Sequence, residues 1–302
     1  MFVRGGLLGC RRYRSFLIGM AGRKAFEAVS TSNSFITVKS EAGDPVQLSD
    51  FRPVACESLA RIGSPNDGGY VVPLRAVKAA DALLSFGLSH DWTFERDFKK
   101  HNPRAVVHCY DHTVTRLTAL RYSIGQLLRF SARLKASHLR KAFTWIDYPW
   151  FFRGDNIHFR QRIWNDREDN SATVDDAFAR LPGGCQIFVK VDIEGGEYRI
   201  LDDLLRRSTS IVALAIEFHE IDDRPELFNS LIDKIKRDFY IVHIHGNNLG
   251  GLAPFHFPIS PEITFLNRRF FQQAPSPSAL KYPVPELDRP NHPGFPEFKF
   301  EF

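Results

Sequence analysis

The chain has 302 residues, 43% of them hydrophobic and 25% charged, which is enough to bury a full-sized core and ordinary for a soluble globular protein. No run approaches the roughly 18 apolar residues of a membrane-spanning helix. Cys10, Cys56, Cys109 and Cys185 show neither CxxC nor zinc-type spacing and favour a reducing, cytoplasmic setting.

The formal charge of +5 is local, because Arg4, Arg11, Arg12, Arg14, Arg23 and Lys24 precede the first acid of the chain. The basic balance belongs to an arm whose only apolar patch is SFLIGMAG. Such an arm is a mitochondrial-type presequence, a membrane-surface contact or a plain tail. We divide the chain into this arm and lead-in (1–59), a body (60–272) and a Pro/Phe-rich tail (273–302).

In the lead-in, SNSFITVKS predicts a strand and LSDFRPVACESLARI a short helix. Asn66-Asp67-Gly68-Gly69 is turn chemistry ahead of a strand, Tyr70 to Val72, stopped by Pro73; the turn either stands bare or folds over a ligand. Ala82 to Phe86 predicts a buried strand that meets Gly87 and then a helix from about Trp92, with Thr93 as its cap and Glu95 in its first turn. This has the form of a β–turn–α cofactor loop, although Gly87 alone does not make GxGxxG. Ala105 to Tyr110 predicts a second strand ending in Asp111, either a turn residue or an acid placed to bond a ribose diol.

Residues 113–141 read as a helical insertion, with Leu117, Leu120, Ile124, Leu127, Leu128 and Leu134 on an apolar stripe. Arg116, Arg121, Arg129, Arg133, Lys135, Arg140 and Lys141 accompany them without an acid. They form a solvated face or a basic cap favouring an anionic acceptor; no nucleic-acid partner is expected, because aromatics are not interleaved for stacking. TWIDYPWFF lines an acceptor pocket or packs. NIHFRQRIW predicts a third strand ending in Asn165 and Asp166, and ATVDDAFARLPGG a helix capped by Thr173.

The stretch from Cys185 to Leu205 organises the rest. Ile187, Phe188, Val189 and Val191 form a strand buried on both faces, Lys190, Asp192, Glu194 and Glu197 crowd around Gly195-Gly196, and Ile200, Leu201, Leu204 and Leu205 follow at helical spacing. IVALAIEFHEID is the fifth strand, with Glu217 and His219 at its end, and ELFNSLIDKIKRDF an amphipathic helix. YIVHIHGNN is the sixth strand, and its His243, His245 and Asn247 share one face. PEITFLNRR is the seventh, antiparallel at the edge, and the tail is an extended wrap or unordered. The alternation gives an α/β doubly wound sheet of seven mostly parallel strands. Gly87, Asp111, Asp166, Asp192, Glu194, His219 and His245 stand at successive strand ends, where such sheets bind ligands.

KVDIEGGEYRIL resembles the K-[IV]-D-[IV]-E-G-x-E signature of the FkbM-type S-adenosylmethionine-dependent methyltransferases. RIGSPNDGGYVV, SFGLSHDWTFERDF and VVHCYDHT resemble, in order, blocks of the related methyltransferase-like group, so the likeness spans roughly residues 60 to 270. It implies a Rossmann-like class I methyltransferase fold. It also implies that Phe86, Gly87, Glu95, Asp111 and Asp166 hold S-adenosylmethionine, with Asp111 on the ribose, and that a carbohydrate or glycolipid-like oxygen accepts the methyl. Ser85-Phe86-Gly87-Leu88 departs from the family, many of whose members have an acid and more glycines there.

Methyl transfer needs alignment and removal of a hydroxyl proton. His219, or the carboxylates of Asp192 and Glu194, would accept that proton, and Lys190 would stabilise charge on the oxygen. The residues leave two alternatives open. Asp192, Glu194, Glu217, His219, His243 and His245 are also ligand types for a divalent cation in a metal-assisted transferase or hydrolase, without a local metal-binding spacing. A non-catalytic scaffold of the same fold is the other.

Overall fold

The computed structural model describes residues 35–133 and 143–302. The basic arm and residues 134–142 of the insertion lie outside them. β1 (Phe35–Val38) and a 3-10 turn (Leu48–Phe51) lead into a hairpin of β2 (Leu59–Gly63) and β3 (Gly69–Pro73), closed by the Asn66 to Gly69 turn. There follow α1 (Leu74–Ala79), β4 (Ala82–Phe86), α2 (Thr93–His101), β5 (Val106–Tyr110), α3 (Arg116–Arg133) and α4 (Thr144–Phe151). Next come β6 (Asn156–Phe159), β7 (Arg162–Ile163), β8 (Ser171–Ala172), α5 (Val174–Ala179), β9 (Ile187–Val191) and α6 (Glu197–Leu205). The chain ends with β10 (Ile211–Glu217), α7 (Pro225–Asp238), β11 (Phe239–Gly246), β12 (Pro261–Asn267) and β13 (Glu297–Phe300).

The main sheet has seven strands in the order β11-β12-β10-β9-β4-β5-β6. All run parallel except β12, which is antiparallel to both β10 and β11. This is the expected Rossmann-like, mostly parallel sheet, with one change. The antiparallel strand is not at the edge; β12 lies inside, every residue of it is buried, and β11 is the edge.

Strand alternation sorts side chains to two faces. Ile187, Val189 and Val191 of β9 join a core with Leu84 and Phe86 of β4, Leu201 and Leu204 of α6, and Phe228 and Ile232 of α7. Phe188 faces the opposite core, with Leu83, Phe94 and Phe98 of α2 and Tyr70 and Val72 of β3. Lys190 has the parity of Phe188, so the same rule turns it toward that second face.

Several expected elements move. The lead-in helix shrinks to the turn Leu48–Phe51, since Pro53 donates no backbone hydrogen bond, and its later residues become β2. Thr93 is the first residue of α2 and not its cap; Asp91 Oδ1 accepts its N–H at 3.0 Å. Thr173 does cap α5, in a reciprocal box with Asp176. The predicted third strand splits: β6 pairs with β5, whereas β7 leaves the sheet to pair with β8. The tail is an extended wrap whose β13 pairs in parallel with β1.

Candidate active site

The chain winds outward from β4 to β5 and β6 on one side and from β9 to β10 on the other. The crevice beyond the carboxyl ends of β4 and β9 is therefore the topological switch point of the sheet. Two loops meet there backbone to backbone. Asp192 N–H donates to the Phe86 carbonyl at 2.9 Å, and Gly87 sits at φ +86°, where an added Cβ would lie 1.6 Å from the Asp192 carbonyl oxygen. Only glycine satisfies both conditions.

Asp111, at the end of β5, pins the loop after β4. Its Oδ2 accepts the N–H groups of Leu88 (3.0 Å) and Ser89 (2.8 Å), and its Oδ1 accepts the N–H (2.7 Å) and hydroxyl (2.6 Å) of Thr113. Burial alone would raise this carboxyl's pKa, but the hydrogen bonds from Thr113, Ser89 and Leu88 bring it below the ordinary value. Four donors fill the lone pairs of the carboxylate, so Asp111 shapes the loop in this structure and has no free position for a ribose hydroxyl.

Lys190, Ser85, Glu95 and Tyr70 lie beneath the loops. Lys190 Nζ donates to the Gly87 carbonyl at 2.8 Å and stands 3.6 Å from Asp192 Oδ2, with its side chain 4% exposed. Burial would lower its pKa, but the charges of Asp192, Glu95 and Glu217 outweigh burial and raise it, so it is a cationic strut. Glu95 is fully buried and accepts the Ser85 hydroxyl at 2.6 Å. The ring of Phe86 is core, edge-on to Tyr110. The expected contacts of Lys190 with an acceptor oxygen, and of Phe86 and Glu95 with a cofactor, are thus not available to side chains sealed under the loops; only the backbone of residue 86 reaches the crevice floor.

The open part of the crevice belongs to the ends of β9 and β10. Tyr70 Oη donates to Asp192 Oδ2 (3.1 Å) and lies 3.4 Å from Glu217 Oε2, while Asn247 Nδ2 donates to Glu217 Oε1 at 2.8 Å. Burial first, then the charges of Asp192 and Glu262, push the pKa of Glu217 well up. His219 Nδ1 lies 3.1 Å from Glu197 Oε1, and its Nε2 is 3.7 Å from Glu194 Oε2 and 3.8 Å from Glu217 Oε1. Burial would lower the pKa of His219; the hydrogen bond and charge of Glu197, with the charges of Glu217 and Asp192, lift it to about 10. At neutral pH it is an imidazolium, hence a donor and not the base the sequence suggested. Glu194 reaches it from a left-handed backbone, φ +53°, with its side chain 77% exposed.

The other candidates separate from this cluster. Asp166 is exposed on the β7–β8 turn, where its carbonyl accepts the Ser171 hydroxyl, because β7 has left the sheet. His243 pairs with Asp288 at 2.8 Å, and His245 lies between Glu262 (3.1 Å) and Glu297 (3.2 Å), sealed under the tail. Arg116, Arg121 and Arg129 are exposed on α3, whose Tyr122 stacks on His90 of the β4 loop at 4.7 Å. The Arg133 side chain, Leu134, Lys135, Arg140 and Lys141 lie outside the described residues. Of the aromatic stretch, Tyr148 and Phe152 pack on Trp92, whereas Trp145 and Trp150 are exposed. Tyr70 and Asn247 were not singled out for the site; the signal for Tyr70 was its place directly after the Asp67-Gly68-Gly69 turn.

No protein-family model and no curated protein sequence matches the chain. Among solved structures it is similar to the fibrillarin pre-rRNA processing protein of Methanococcus jannaschii, with 11% identity, 64% of this chain and 68% of that one covered and a TM-score of 0.34. It is also similar to the precorrin-6y C5,15-methyltransferase of Geobacter metallireducens (12% identity, 65% and 86% covered, TM-score 0.32). A third is the plantazolicin methyltransferase solved with SAH (8% identity, 64% and 82% covered, TM-score 0.27). Likenesses this distant assign neither a family nor an activity.

Proposed function

We propose that the chain is an S-adenosylmethionine-dependent methyltransferase that methylates an oxygen of a carbohydrate or glycolipid-like acceptor, anionic acceptors included. One observation carries the reading. At the switch point of the sheet, a glycine-hinged loop pinned by Asp111 adjoins a polar, solvent-open cluster of Asp192, Glu194 and His219. KVDIEGGEYRIL, which resembles the FkbM-type signature, falls on the second of these, and SFGLSHDWTFERDF, which resembles a block of the related methyltransferase-like group, on the first. His90 Nε2, in the pinned loop, is buried without a partner among the described residues, which fits an occupant that supplies one.

The bound cofactor would present the methyl on a sulfonium, a good leaving group. The loop from Leu88 to His90 would hold it through carbonyls and the His90 ring, because the Gly87 N–H is taken by the Tyr110 carbonyl and the Leu88 and Ser89 N–H groups by Asp111, which would keep that loop in place. Tyr70 and Asn247 fix the carboxylates. Imidazolium His219 orients the acceptor oxygen by donating to it, and Glu194, exposed beside it, takes the hydroxyl proton. Lys190 holds Gly87 from below.

Calorimetric titration with S-adenosylmethionine and its demethylated product tests this. We expect both to bind, and Asp111→Ala to weaken binding at least about tenfold by releasing two loop amides. Failure of both ligands to bind the folded wild-type protein would end the reading.

A further inference from the structure

We infer that Asp192, Glu194 and His219 form a binding site for a divalent cation of the Mn²⁺ class at the mouth of the crevice. One ligand atom from each residue lies within 4.8 Å of the others. Bonds of ~2.0–2.2 Å to one ion set three donors roughly 3–3.6 Å apart, so the side chains would draw together by up to about an ångström to complete the site, the exposed Glu194 moving most. Two carboxylates and one imidazole suit a borderline cation that accepts both oxygen and nitrogen. The residues come from two connections: Asp192, directly after β9, and Glu194 lie in the turn before α6, and His219 lies two residues past β10.

A second observation, apart from the ligand cluster, points to the same occupant. His219 Nδ1 is engaged by Glu197 Oε1, which also accepts the Ile193 N–H at 3.0 Å. Glu197 is 0% exposed, and its Oε2 has no partner among the described residues. A buried carboxylate behind a histidine fixes its ring and directs the other nitrogen outward, which is how ligating histidines are commonly held. That outward nitrogen faces Glu194 and Glu217. The backbone supports the arrangement too, because Glu194 takes a left-handed conformation that non-glycine residues rarely adopt, and strain of this kind is kept where a side chain must be delivered. Glu217, tied to Tyr70 and Asn247, backs the site from inside.

The site stands on its own ligands: a bound cation displaces the His219 Nε2 proton and takes over from that imidazolium the placing of the acceptor oxygen, and only this use rests on the methyltransferase reading. The test uses Mn²⁺ alone with the full chain, followed by electron paramagnetic resonance. We expect one ion per chain, with nitrogen coupling from one imidazole in the spin-echo spectrum. Asp192→Asn and His219→Gln should each weaken binding at least about tenfold, and Glu197→Gln should weaken it by about 10- to 100-fold while keeping the nitrogen coupling. No binding up to about 1 mM, the weak limit for specific divalent sites, or binding without nitrogen coupling in the wild type, overturns the proposal whether or not any variant folds. SAH titration in parallel separates the two ideas. SAH binding without Mn²⁺ binding removes the cation site and leaves the transferase; Mn²⁺ binding without SAH binding does the reverse.

Discussion

Two histidine–carboxylate networks, one on the edge strand β11 and one just past β10, with β12 between them, do opposite things with the same chemistry. At the edge, His245 (2% exposed) is held between Glu262 and Glu297, and His243 is held by Asp288 (1% exposed). At the switch point, His219 has a buried carboxylate behind it, but the carboxylate in front, on Glu194, is 77% exposed. In the first network each acid is matched to a donor and the tail seals the whole. In the second, the charges face outward and only one side is closed. Cover, and not residue type, separates a strut from a site.

Breaking the strut should give the largest effect on stability. Asp288 accepts both His243 Nε2 (2.8 Å) and the Val284 N–H (2.6 Å), so Asp288→Ala leaves buried donors unpaired at a cost of about 3–5 kcal/mol. Urea unfolding should show the midpoint fall with the slope unchanged; a loss under about 1 kcal/mol would mean that the tail does not depend on this pair.

The same removal of charge at the site should act on turnover. Asn at position 192 still accepts from Tyr70 but no longer balances the buried Lys190, whose other charge partners Glu95 and Glu217 remain, so Asp192→Asn should cost about 1–3 kcal/mol, less than Asp288→Ala. Turnover on a competent acceptor should drop about 100-fold or more, with SAH affinity retained. A stability loss matching that of Asp288→Ala would make the two networks alike, and the contrast would collapse.

The strut should also have a pH window. His245 is raised well above its ordinary pKa; burial opposes this, and Glu262 and Glu297 overcome it. Its contribution is complete below the unfolded histidine pKa and is lost as pH rises through the folded value. Asp288 and Glu262 are depressed despite burial, by His243 and His245 respectively, so theirs is complete above the unfolded carboxylate pKa and lost as pH falls through the folded values. Protection of the β13 amides, the exchange rate taken relative to the intrinsic rate at each pH, should therefore be greatest from roughly pH 5 to 7 and fall on either side. A flat profile would show that apolar packing of Phe298 and Phe300 holds the tail alone.

The strut was the part that the sequence concealed. Spacing by two placed His243 and His245 together, but their partners lie in a tail without periodicity, so nothing local announced Asp288 or Glu297. The position of β12 was hidden for a similar reason, since pairing between β10 and β11 is a long-range choice that an apolar run does not encode. The β9–α6 unit was legible because its signals are local: a run buried on both faces, an acidic turn, then helical spacing. Lys190 and Glu95 were legible as strand and helix residues but not as struts, since their function depends on the β2–β3 hairpin covering that face. Asp111 was located correctly at its strand end, while two of the four donors that occupy it come from the β4 loop, whose course no motif specified, and two from Thr113 in its own turn.

The smallest effect should come from the most exposed member of the site. Glu194 has φ +53°, a conformation that glycine adopts freely and that costs a residue with a Cβ about 1 kcal/mol. Glu194→Gly and Glu194→Ala both remove the carboxylate, so both should lose the same Mn²⁺ affinity and the same turnover. They should differ in stability, with the glycine variant more stable by about 1 kcal/mol by thermal or urea unfolding. This pair isolates the backbone cost of presenting the carboxylate from the role of the carboxylate itself. If alanine proves as stable as glycine, the left-handed turn carries no strain, and the geometry of Glu194 ceases to count toward a built site.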